Sequence, residues 1–504
     1  MRATPVKGWR KLERKVRKAL LLFVALLRGD PDGLLRVAAE RLVPRLEKHR
    51  NAPWADRLRI ALLDCQPGCR ASPQQVQDVL AASSLLMPPR WQLSPGLERR
   101  LLRRMAARMV RTGAASVTCD DWIRVNGSWC WRQKPLWDSV FDAETGIGEG
   151  PVLVHGRLHQ HLDKLPRPEH APAWREALQQ LSHAHGGHAH VPLPLLRAPE
   201  ACISVASPTQ SASATVGAWQ PLVSVLLPTA GFSKVIAPGG AEILVRHCLR
   251  TLLERSHYRR LEIVLIDGGE LTESLLEELR FLVESQLGEK SWKHLRDGGP
   301  YDYTKRINKA AAEAHGELLL QLNDDTELLA VKGVELLIQA LTKPDIGVAG
   351  ALLLYPDGRV QHAGTAIDNL APRHAWAGSR PEALPWGTLR GQRTFNAVTA
   401  AVTMCRSSLW ERLGGFCDRF PINYGDVDFC LRAASLGQRT VLVPGSQWLH
   451  FESASRNLDD IPPELSVFQQ IWGDCMGGPH SVDHYCSAWR MLLSSQESNK
   501  HEQI

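Results

Sequence analysis

The stretch ELLLQLNDD at residues 317–325 decides the fold of this chain. Its apolar run is typical of a strand buried on both faces, and it ends abruptly in three polar side chains. Two further runs of the same kind, LVSVLL at 222–227 and LEIVLI at 261–266, end just before Pro228 and Asp267. We expect the three runs to form parallel strands of one sheet.

Segments with helical spacing of apolar residues separate these runs. The spacing predicts helices over 241–253, 273–287 and 304–314. Because parallel strands need long crossover connections, strands alternating with helices indicate βαβ units. The sequence therefore predicts an α/β domain with a mostly parallel sheet and flanking helices.

Polar side chains follow the predicted strands where ligands of open α/β sheets bind. Thr229 and Asp267 follow the first two strands, and Asp324 and Asp325 follow the third. A carboxylate in such a place suits base or ribose recognition, and neighbouring carboxylates suit a hard divalent cation. For the Asp324–Asp325 pair alone, an ordinary strand-to-turn cap is the alternative.

The composition sets the class of protein. With 504 residues, 44% hydrophobic and 22% charged, the chain is globular and long enough for two or three domains. Eleven cysteines without paired metal-type spacing favour reduced thiols in a cytoplasmic protein.

The positive charge is concentrated at the amino terminus. Residues 1–50 hold 14 Lys and Arg against 5 Asp and Glu, so their net charge of +9 exceeds the +7 of the whole chain. The apolar run from Ala19 to Leu27 is too short to span a membrane, which takes about 20 residues. We interpret residues 1–56 as a basic amphipathic helical head. Two explanations of it stay open, a helix on an anionic membrane surface and a helix whose apolar face packs on its own protein.

A stretch rich in Pro, Gly, Ser and Ala, residues 183–220, predicts a linker. Its histidines at 183, 185, 188 and 190 could form a metal-binding tract, but no carboxylate or thiol accompanies them. The linker interpretation is therefore favoured. It separates an amino-terminal half from a domain at 221–460, which a carboxy-terminal extension at 461–504 follows.

Six segments of the later domain resemble, in order, the family 2 glycosyltransferases with the GT-A fold. The resemblance is to the bacterial branch that builds rhamnose-containing and other cell-surface polysaccharides. The segments are PLVSVLLPT (221–229), LEIVLIDGG (261–269), YDYTKRINKAAAEAHGELLLQLNDDTEL (301–328), IGVAGALLLYPDGRVQHAG (346–364), VTAAVTMCRSSLWERLGGFCDRFPINYGDVDFCLRAASLG (398–437) and WLHFESASR (448–456). The resemblance implies a Rossmann-like GT-A catalytic domain.

The resemblance also implies roles on the nucleotide side of the site. Thr229 and Asp267 correspond to contacts with the base and ribose. Lys305, Arg306 and Asn308 correspond to groups near the nucleotide, on the helix that precedes the metal strand.

Further roles implied by the resemblance concern the metal and the chemistry. Asp325 is the last carboxylate of a DxD-like site and would hold Mg²⁺ or Mn²⁺ with Asp324 beside the donor. Asp426 corresponds to the catalytic base. Asp428 belongs to the same block and is expected in the substrate site, with a favourable charge in the first turn of a helix as the alternative. His450 corresponds to a metal or diphosphate contact, with a packed core histidine as the alternative.

Residues 57–182 resemble a faint second copy of the same domain. Their order of Ala-rich helix, glycine, strand and acidic pair aligns Asp121 with Asp324 and Trp122 with Asp325. We expect a truncated GT-A-like domain without a base or a complete metal site. An unrelated helical accessory region is the alternative.

These observations predict an inverting, metal-dependent glycosyltransferase of cell-surface polysaccharide or lipopolysaccharide assembly. The expected donor is a nucleoside diphosphate-sugar of the UDP or dTDP type, and the expected acceptor a glycan or lipid-linked glycan. We expect no nucleic-acid partner and a cytoplasmic location, peripheral to the inner membrane if the head binds it. The alternatives are a catalytically silent glycosyltransferase-like scaffold and a nucleotidyltransferase.

Overall fold

The computed structural model describes two sheet-containing parts of the chain. The described residues are 72–87, 91, 97–125, 128–132, 138, 140, 150–166, 171–197, 219–237, 240–368, 371–384, 389–451 and 463–476. The basic head at 1–56 lies outside them, as do most of the predicted linker and the residues after 476. Within the described residues, no helix combines the length and apolarity needed to cross a membrane.

The first part, residues 72–197, is a small α/β unit. Its elements are α1 (Pro73–Ala81), β1 (Ser83–Leu86), α2 (Leu97–Thr112), β2 (Ser116–Val125), β3 (Ser128–Arg132), β4 (Val152–His155), α3 (His159–Leu162), α4 (Ala171–Ala184) and β5 (His188–Arg197). The sheet runs β1-β4-β2-β3, and β5 pairs with β2. Only the β2–β5 pairing is parallel among these described strands.

Residues 183–197 do not belong to a linker, although the sequence predicted one over 183–220. Residues 183 and 184 complete α4, and residues 188–197 form β5, the parallel neighbour of β2. The prediction for this stretch was wrong because the Pro- and His-rich composition hid a strand.

A buried chain of hydrogen bonds explains two of the histidines. Ser116 Oγ bonds to Ser182 Oγ at 2.7 Å and to His188 Nδ1 at 2.8 Å. Thr118 Oγ1 bonds to the Nε2 atom of His188 at 3.0 Å and to His190 Nδ1 at 2.8 Å. Burial, with a smaller effect of His190, lowers the pKa of His188 well below its usual value. These side chains therefore tie strands β2 and β5 together, and the lowered pKa keeps His188 neutral.

The acidic pair of the first part differs from that of the later domain in its position along the strand. Asp121 is buried inside β2, which continues to Val125. Asp324, by contrast, lies beyond the last residue of its strand at Leu322. A degenerate second copy stays a prediction for residues 57–182, but this carboxylate does not lie at a strand end.

The second part builds a ten-stranded mixed sheet, with two small hairpins, on helices. Its strands are β6 (Val223–Pro228), β7 (Ser233–Ala237), β8 (Gly240–Ile243), β9 (Leu261–Asp267), β10 (Trp292–Arg296), β11 (Leu318–Leu322), β12 (Thr326–Leu328), β13 (Ile346–Leu354), β14 (Val360–His362), β15 (Thr365–Asp368), β16 (Ala371–His374), β17 (Arg393–Phe395), β18 (Val402–Arg406) and β19 (Arg439–His450). Its helices are α5 (Leu244–Arg255), α6 (Glu273–Leu287), α7 (Tyr303–Ala312), α8 (Gly333–Ala340), α9 (Ser407–Leu413), α10 (Gly425–Ser435) and α11 (Glu464–Met476).

The sheet order is β10-β9-β6-β11-β18-β13-β19-β12. The first four strands are parallel, as the apolar runs predicted. Beyond β11 the pairing is mixed, since β18 runs antiparallel to both β11 and β13 while β13 and β19 are parallel. The α/β prediction is confirmed, but the sheet is mixed where a mostly parallel one was predicted, since the parallel run comprises four of its ten strands.

The helix predicted over 241–253 begins later than expected. Residues 241–243 belong to β8, which pairs with β7 in an antiparallel hairpin, and α5 begins at Leu244. Ile243 carries the apolar spacing across the boundary, so periodicity alone placed the start too early. Helix α6 has the predicted bounds.

Apolar side chains cover both faces of the sheet because its strands are buried on both sides. One core contains Val225, Leu265 and Leu320 with residues of α5, α6 and α8. The opposite core contains Leu226 and Leu319 with residues of α7, α9 and α10. Adjacent residues of one strand thus belong to opposite cores, which fixes the register that brings the strand ends together.

Helix α11 packs on the second part although the sequence assigned it to an extension. Phe468 is fully buried and contacts Phe420 and Tyr424, with ring centroids 6.3 and 5.5 Å apart. Glu464 accepts a hydrogen bond from the Asn423 backbone N–H at 3.3 Å. The domain therefore extends at least to Met476.

A segment of the first part also contacts the second. Asp138 is buried, and its Oδ2 accepts the backbone N–H of Thr394 at 2.7 Å while its Oδ1 accepts the Thr394 hydroxyl at 3.0 Å. Burial lowers the pKa of the adjacent Arg393 to about 9, and the Asp138 charge opposes this shift. Asp138 therefore anchors β17.

Candidate active site

One cavity of about 320 Å³ opens where several strand ends meet. The end of β6, the residues after β11, the residues before β18, the start of α10 and the end of β19 all contribute to it. Its polar lining includes Tyr301, Tyr303, Asn323, Asp324, Asp325, Gln361, His374, Thr399, Tyr424, Asp426 and His450. Four of the ten site residues predicted from sequence therefore share one cavity: Asp324, Asp325, Asp426 and His450.

Backbone pairing places His450 beside Asp325. Thr326 lies opposite His450 in the antiparallel β12–β19 pair, and the Phe451 N–H donates to the Asp325 carbonyl at 2.9 Å. His450 Nε2 then lies 3.0 Å from Asp325 Oδ1. Burial raises the pKa of Asp325, but the adjacent His450 outweighs burial, and the resulting pKa is below the usual value.

Asp324 differs from its neighbour in environment. The Thr229 hydroxyl donates to its Oδ2 at 2.5 Å, so the predicted contact residue Thr229 positions a carboxyl group. Burial, and then the charge of Asp325, raises the pKa of Asp324 to about 7. The two adjacent carboxyls thus separate into Asp325, which stays ionised, and Asp324, which is protonated more readily.

Asp426 is held by two backbone donors. Its Oδ2 accepts the Ala400 N–H at 2.9 Å, and its Oδ1 accepts the Val427 N–H at 2.8 Å. The carboxylate lines the cavity from the first turn of α10. Each carboxylate oxygen keeps a second lone pair, so a group fixed in this way can still take a proton from a hydroxyl in the cavity.

The residue before α10 has a strained backbone. Tyr424 is the N-cap of the helix and has φ 66°, in the left-handed region. A non-glycine residue there costs on the order of 1–3 kcal/mol and is found most often at functional sites. The conformation turns the chain from the α11-supported loop at 420–423 into the helix that carries Asp426.

Both carboxylate oxygens of Asp267 form hydrogen bonds with neighbouring groups of the protein. Oδ1 lies 2.8 Å from His294 Nε2, and Oδ2 accepts the N–H groups of Gly269 and Leu271 at 3.0 and 3.2 Å. Burial raises its pKa, but these bonds outweigh burial and leave the pKa lowered. Asp267 is absent from the lining of the cavity. It shapes the loop after β9, and a nucleotide contact by this residue stays a prediction.

The predicted basic residues of α7 separate into a buried and an exposed one. Arg306 is buried under Tyr301, with its guanidinium carbon 4.9 Å from the ring centroid, and its Nη1 donates to the Thr229 carbonyl at 3.4 Å. Arg306 therefore supports an aromatic side chain of the cavity wall. Lys305 is exposed and does not line the cavity.

Asn308 has a structural role. Its Nδ2 donates to the Phe416 carbonyl and its Oδ1 accepts the Phe416 N–H, both at 2.9 Å. Because both ends of the amide bond the same backbone unit, Asn308 fastens the 414–420 loop to α7. The structure does not bring it into the cavity with Asp325.

Asp428 points away from the cavity. It is buried, its Oδ2 accepts Arg432 Nε at 2.7 Å, and its Oδ1 accepts Trp472 Nε1 of α11 at 3.1 Å. These bonds support the alternative of a structural carboxylate, although the helix-start explanation missed both partners. The substrate contact predicted for Asp428 has no support from this geometry.

Sequence reasoning missed several residues of the cavity. Gln361 and His374 lie on β14 and β16, and the Gln361 carbonyl accepts His374 Nδ1 at 3.3 Å. Gln361 lies inside one of the quoted segments, but nothing in its spacing marks it. Tyr303 donates to Asn323 Oδ1 at 3.3 Å from the first turn of α7.

The oxygen and nitrogen donors at this cavity would fit a divalent cation, with the protein supplying some of its ligands. The described residues contain no group of three or more His, Cys, Asp and Glu side chains arranged around a metal. Asp325 and His450 would supply one carboxylate oxygen and one imidazole nitrogen, and the carboxylate is the kind of ligand that suits Mg²⁺ or Mn²⁺. Two protein ligands would leave the remaining positions of such an ion to water and to oxygens of a bound molecule.

A model of a known protein family matches part of the second sheet-containing part. Residues 241–407 match the model of the glycosyl transferase family 2. The match includes β9, the acidic cluster after β11 and the whole of β18, and it ends before Asp426 and His450. It agrees with the family 2 resemblance seen in the sequence and with the α/β fold of the domain.

Curated relatives come from bacterial sources. The chain is 33% identical over 222 residues to the O-antigen biosynthesis protein RfbC of Myxococcus xanthus, covering 44% of this chain and 17% of that protein. It is 27% identical over 136 residues to an N-acetylglucosaminyl-diphospho-decaprenol L-rhamnosyltransferase of Mycobacterium tuberculosis, covering 25% and 44%. The chain thus spans less than half the length of these relatives.

Solved structures show low overall likeness. A mannosyltransferase from Pyrobaculum calidifontis in complex with GDP-Man and Mn²⁺ has a TM-score of 0.34 and 14% identity, covering 57% of this chain and 89% of that one. S. aureus TarS has a TM-score of 0.36 and 15% identity, covering 56% and 44%. The resemblance to family 2 glycosyltransferases rests on the family model and the curated relatives.

Proposed function

We propose that this protein is an inverting glycosyltransferase that moves a sugar from a nucleoside diphosphate donor to a glycan hydroxyl in cell-surface polysaccharide assembly. The observation that carries the proposal is that Asp325, which lies in the stretch that matches the glycosyl transferase family 2 model, lines one cavity together with His450 and Asp426. The names of the relatives, O-antigen biosynthesis and L-rhamnosyl transfer, support the polysaccharide context.

The proposed chemistry divides the cavity between two groups of residues. Asp325 and His450 would hold Mg²⁺ or Mn²⁺, which when bound supplies positive charge to the departing diphosphate. Asp426, fixed by the Ala400 and Val427 N–H groups, removes the acceptor proton. The acceptor oxygen then attacks the anomeric carbon from the face opposite the diphosphate, so the configuration inverts. A positioned base typically contributes 10²–10⁴-fold.

The donor side is proposed from Asp324 and its support. Thr229 holds Asp324, and Arg306 holds Tyr301 over the same region. These side chains orient the donor without taking part in proton transfer. Donors of the UDP or dTDP type and a glycan or lipid-linked glycan acceptor remain part of the proposal, as does contact of the basic head with an anionic membrane.

The experiment is a screen of nucleotide sugars with release of nucleoside diphosphate as the signal. We expect turnover with one donor class, loss of turnover with chelator, and loss in Asp325→Ala with unchanged unfolding. Asp418→Ala, an exposed aspartate of the same domain, is the matched control. Turnover that survives both chelation and Asp325→Ala would contradict the metal assignment. A scaffold would release no nucleotide, and a nucleotidyltransferase would release pyrophosphate.

A further inference from the structure

Gln361 lies opposite no residue of β13 in the pairing of β13 with β14. His362 pairs with Leu353 and Val360 with Leu354 on β13, so the register shifts by one residue between them. Gln361 is therefore the extra residue of a β-bulge. Bulges re-aim a side chain and are frequent next to active sites.

The re-aimed side chain reaches His450. Gln361 is buried, and its Oε1 lies 2.8 Å from His450 Nδ1. Because an amide oxygen only accepts, this contact requires a proton on Nδ1. The other ring nitrogen, Nε2, lies 3.0 Å from Asp325 Oδ1. Because a carboxylate oxygen also only accepts, Nε2 donates a proton to this contact in the metal-free protein, and a cation bound there would take the place of that proton.

We propose that Gln361 is a positioning residue that holds the Nδ1–H form of His450 and so directs Nε2 toward the cation site at Asp325. This inference rests on the proposed function, because it assigns a role toward the metal of the same site. Histidines that bind metals almost always donate their other N–H to an oxygen that fixes the ring. The backbone carbonyl of Gln361 is taken by His374, which holds the bulge in place.

The opposite arrangement has a distinct consequence. A reversed Gln361 amide would donate to Nδ1 and place the proton on Nε2, between His450 and Asp325. Nε2 would then serve only a hydrogen bond to the carboxylate. Since the two ends of an amide are assigned from the hydrogen-bond network, the tautomer of His450 decides between the arrangements.

Two variants of the full chain test the role. Gln361→Met has a similar size and replaces the amide oxygen by a thioether, which is only a weak acceptor, and we expect Mn²⁺ binding 10–100-fold weaker than in the unaltered chain. Gln361→Glu retains an oxygen opposite Nδ1 and should bind Mn²⁺ within about threefold, as expected when the acceptor for Nδ1–H is kept. Binding is measured by electron paramagnetic resonance with Mn²⁺ alone, and Asp325→Ala gives the reference for a lost site. Equal affinity in the unaltered chain and Gln361→Met would overturn the inference.

A second measurement stands even if Gln361→Met fails to fold. The chain is labelled with ¹⁵N-histidine, and the His450 signals are assigned by their loss in His450→Asn. We expect a protonated Nδ1 in the metal-free protein, and an unprotonated Nδ1 would overturn the proposal. Nucleoside diphosphate release is followed in parallel, so normal transfer with a wrong tautomer refutes only the role of Gln361. Absence of both Mn²⁺ binding and transfer would overturn the proposed function as well.

Discussion

Replacement of Asp428 by asparagine tests whether this carboxylate has a structural role or contacts the substrate. Its two oxygens accept Arg432 Nε at 2.7 Å and Trp472 Nε1 at 3.1 Å inside the protein. An asparagine keeps one acceptor oxygen, so one donor faces an NH₂ group and the pair with Arg432 loses its charge. An unsatisfied buried donor costs about 1–3 kcal/mol, and a hydrogen bond to a charged group is worth about 1.5–3 kcal/mol.

We therefore expect Asp428→Asn to lower the free energy of unfolding by about 3 kcal/mol. That is well above the roughly 0.3–1 kcal/mol that a helix-dipole interaction alone would give. At about 2–4 °C per kcal/mol for a domain of this size, the melting temperature falls by roughly 6–12 °C. Arg432 keeps its bonds to the Leu413 and Gly415 carbonyls, so the fold survives.

The assay compares urea unfolding, followed by tryptophan fluorescence, with nucleoside diphosphate release well below the melting temperature. Asp418→Asn is the matched control, because this aspartate is exposed, and its effect should stay within about 0.5 kcal/mol. Near-normal transfer in a destabilised Asp428→Asn supports the account. Unchanged stability together with lost transfer would refute it and place Asp428 in the substrate site.

Three further predictions concern residues that hold the site from outside the cavity. Asn308→Ala removes both bonds to Phe416 and should lower stability by about 1–3 kcal/mol in urea, while nucleotide affinity stays within about threefold. Asp138→Ala leaves the Thr394 N–H and hydroxyl without their acceptor and should lower the urea midpoint of unfolding. An unchanged midpoint would show that this contact between the two parts contributes nothing to stability. Because the folded pKa of Asp267 is lowered, its contribution is present above its unfolded pKa of about 3.9 and is lost as pH falls through the folded value. The stability difference from Asp267→Asn should therefore shrink below about pH 4, and a difference that grows there would contradict the assigned contacts.

The sheet was predictable because strands that are buried on both faces have continuous apolar sequences. The runs ending near Pro228, Asp267 and Leu322 became β6, β9 and β11, in parallel pairing. Pattern alone failed where two elements share apolar spacing, as at 241–243, or where prolines and histidines occupy a paired strand, as in β5.

Only part of the site was predictable from the sequence. Asp325 and Asp426 reached the cavity as the resemblance implied, whereas Asp428 and Asn308 bond their own surroundings. Gln361 enters through a one-residue register shift, which depends on the pairing with β13. The spacing of residues along one strand cannot reveal such a shift, because the shift depends on how two strands pair.

The central claim is that Asp426 is the base of a sugar transfer, and Asp426→Asn tests it most directly. The amide keeps the size of the side chain and one acceptor for the Ala400 or Val427 N–H, but it cannot take a proton. With the donor found in the screen, we expect transfer to fall by roughly 10²-fold or more while nucleotide affinity in the presence of Mn²⁺ stays within a few-fold. Transfer at a near-normal rate in the folded variant would contradict the account.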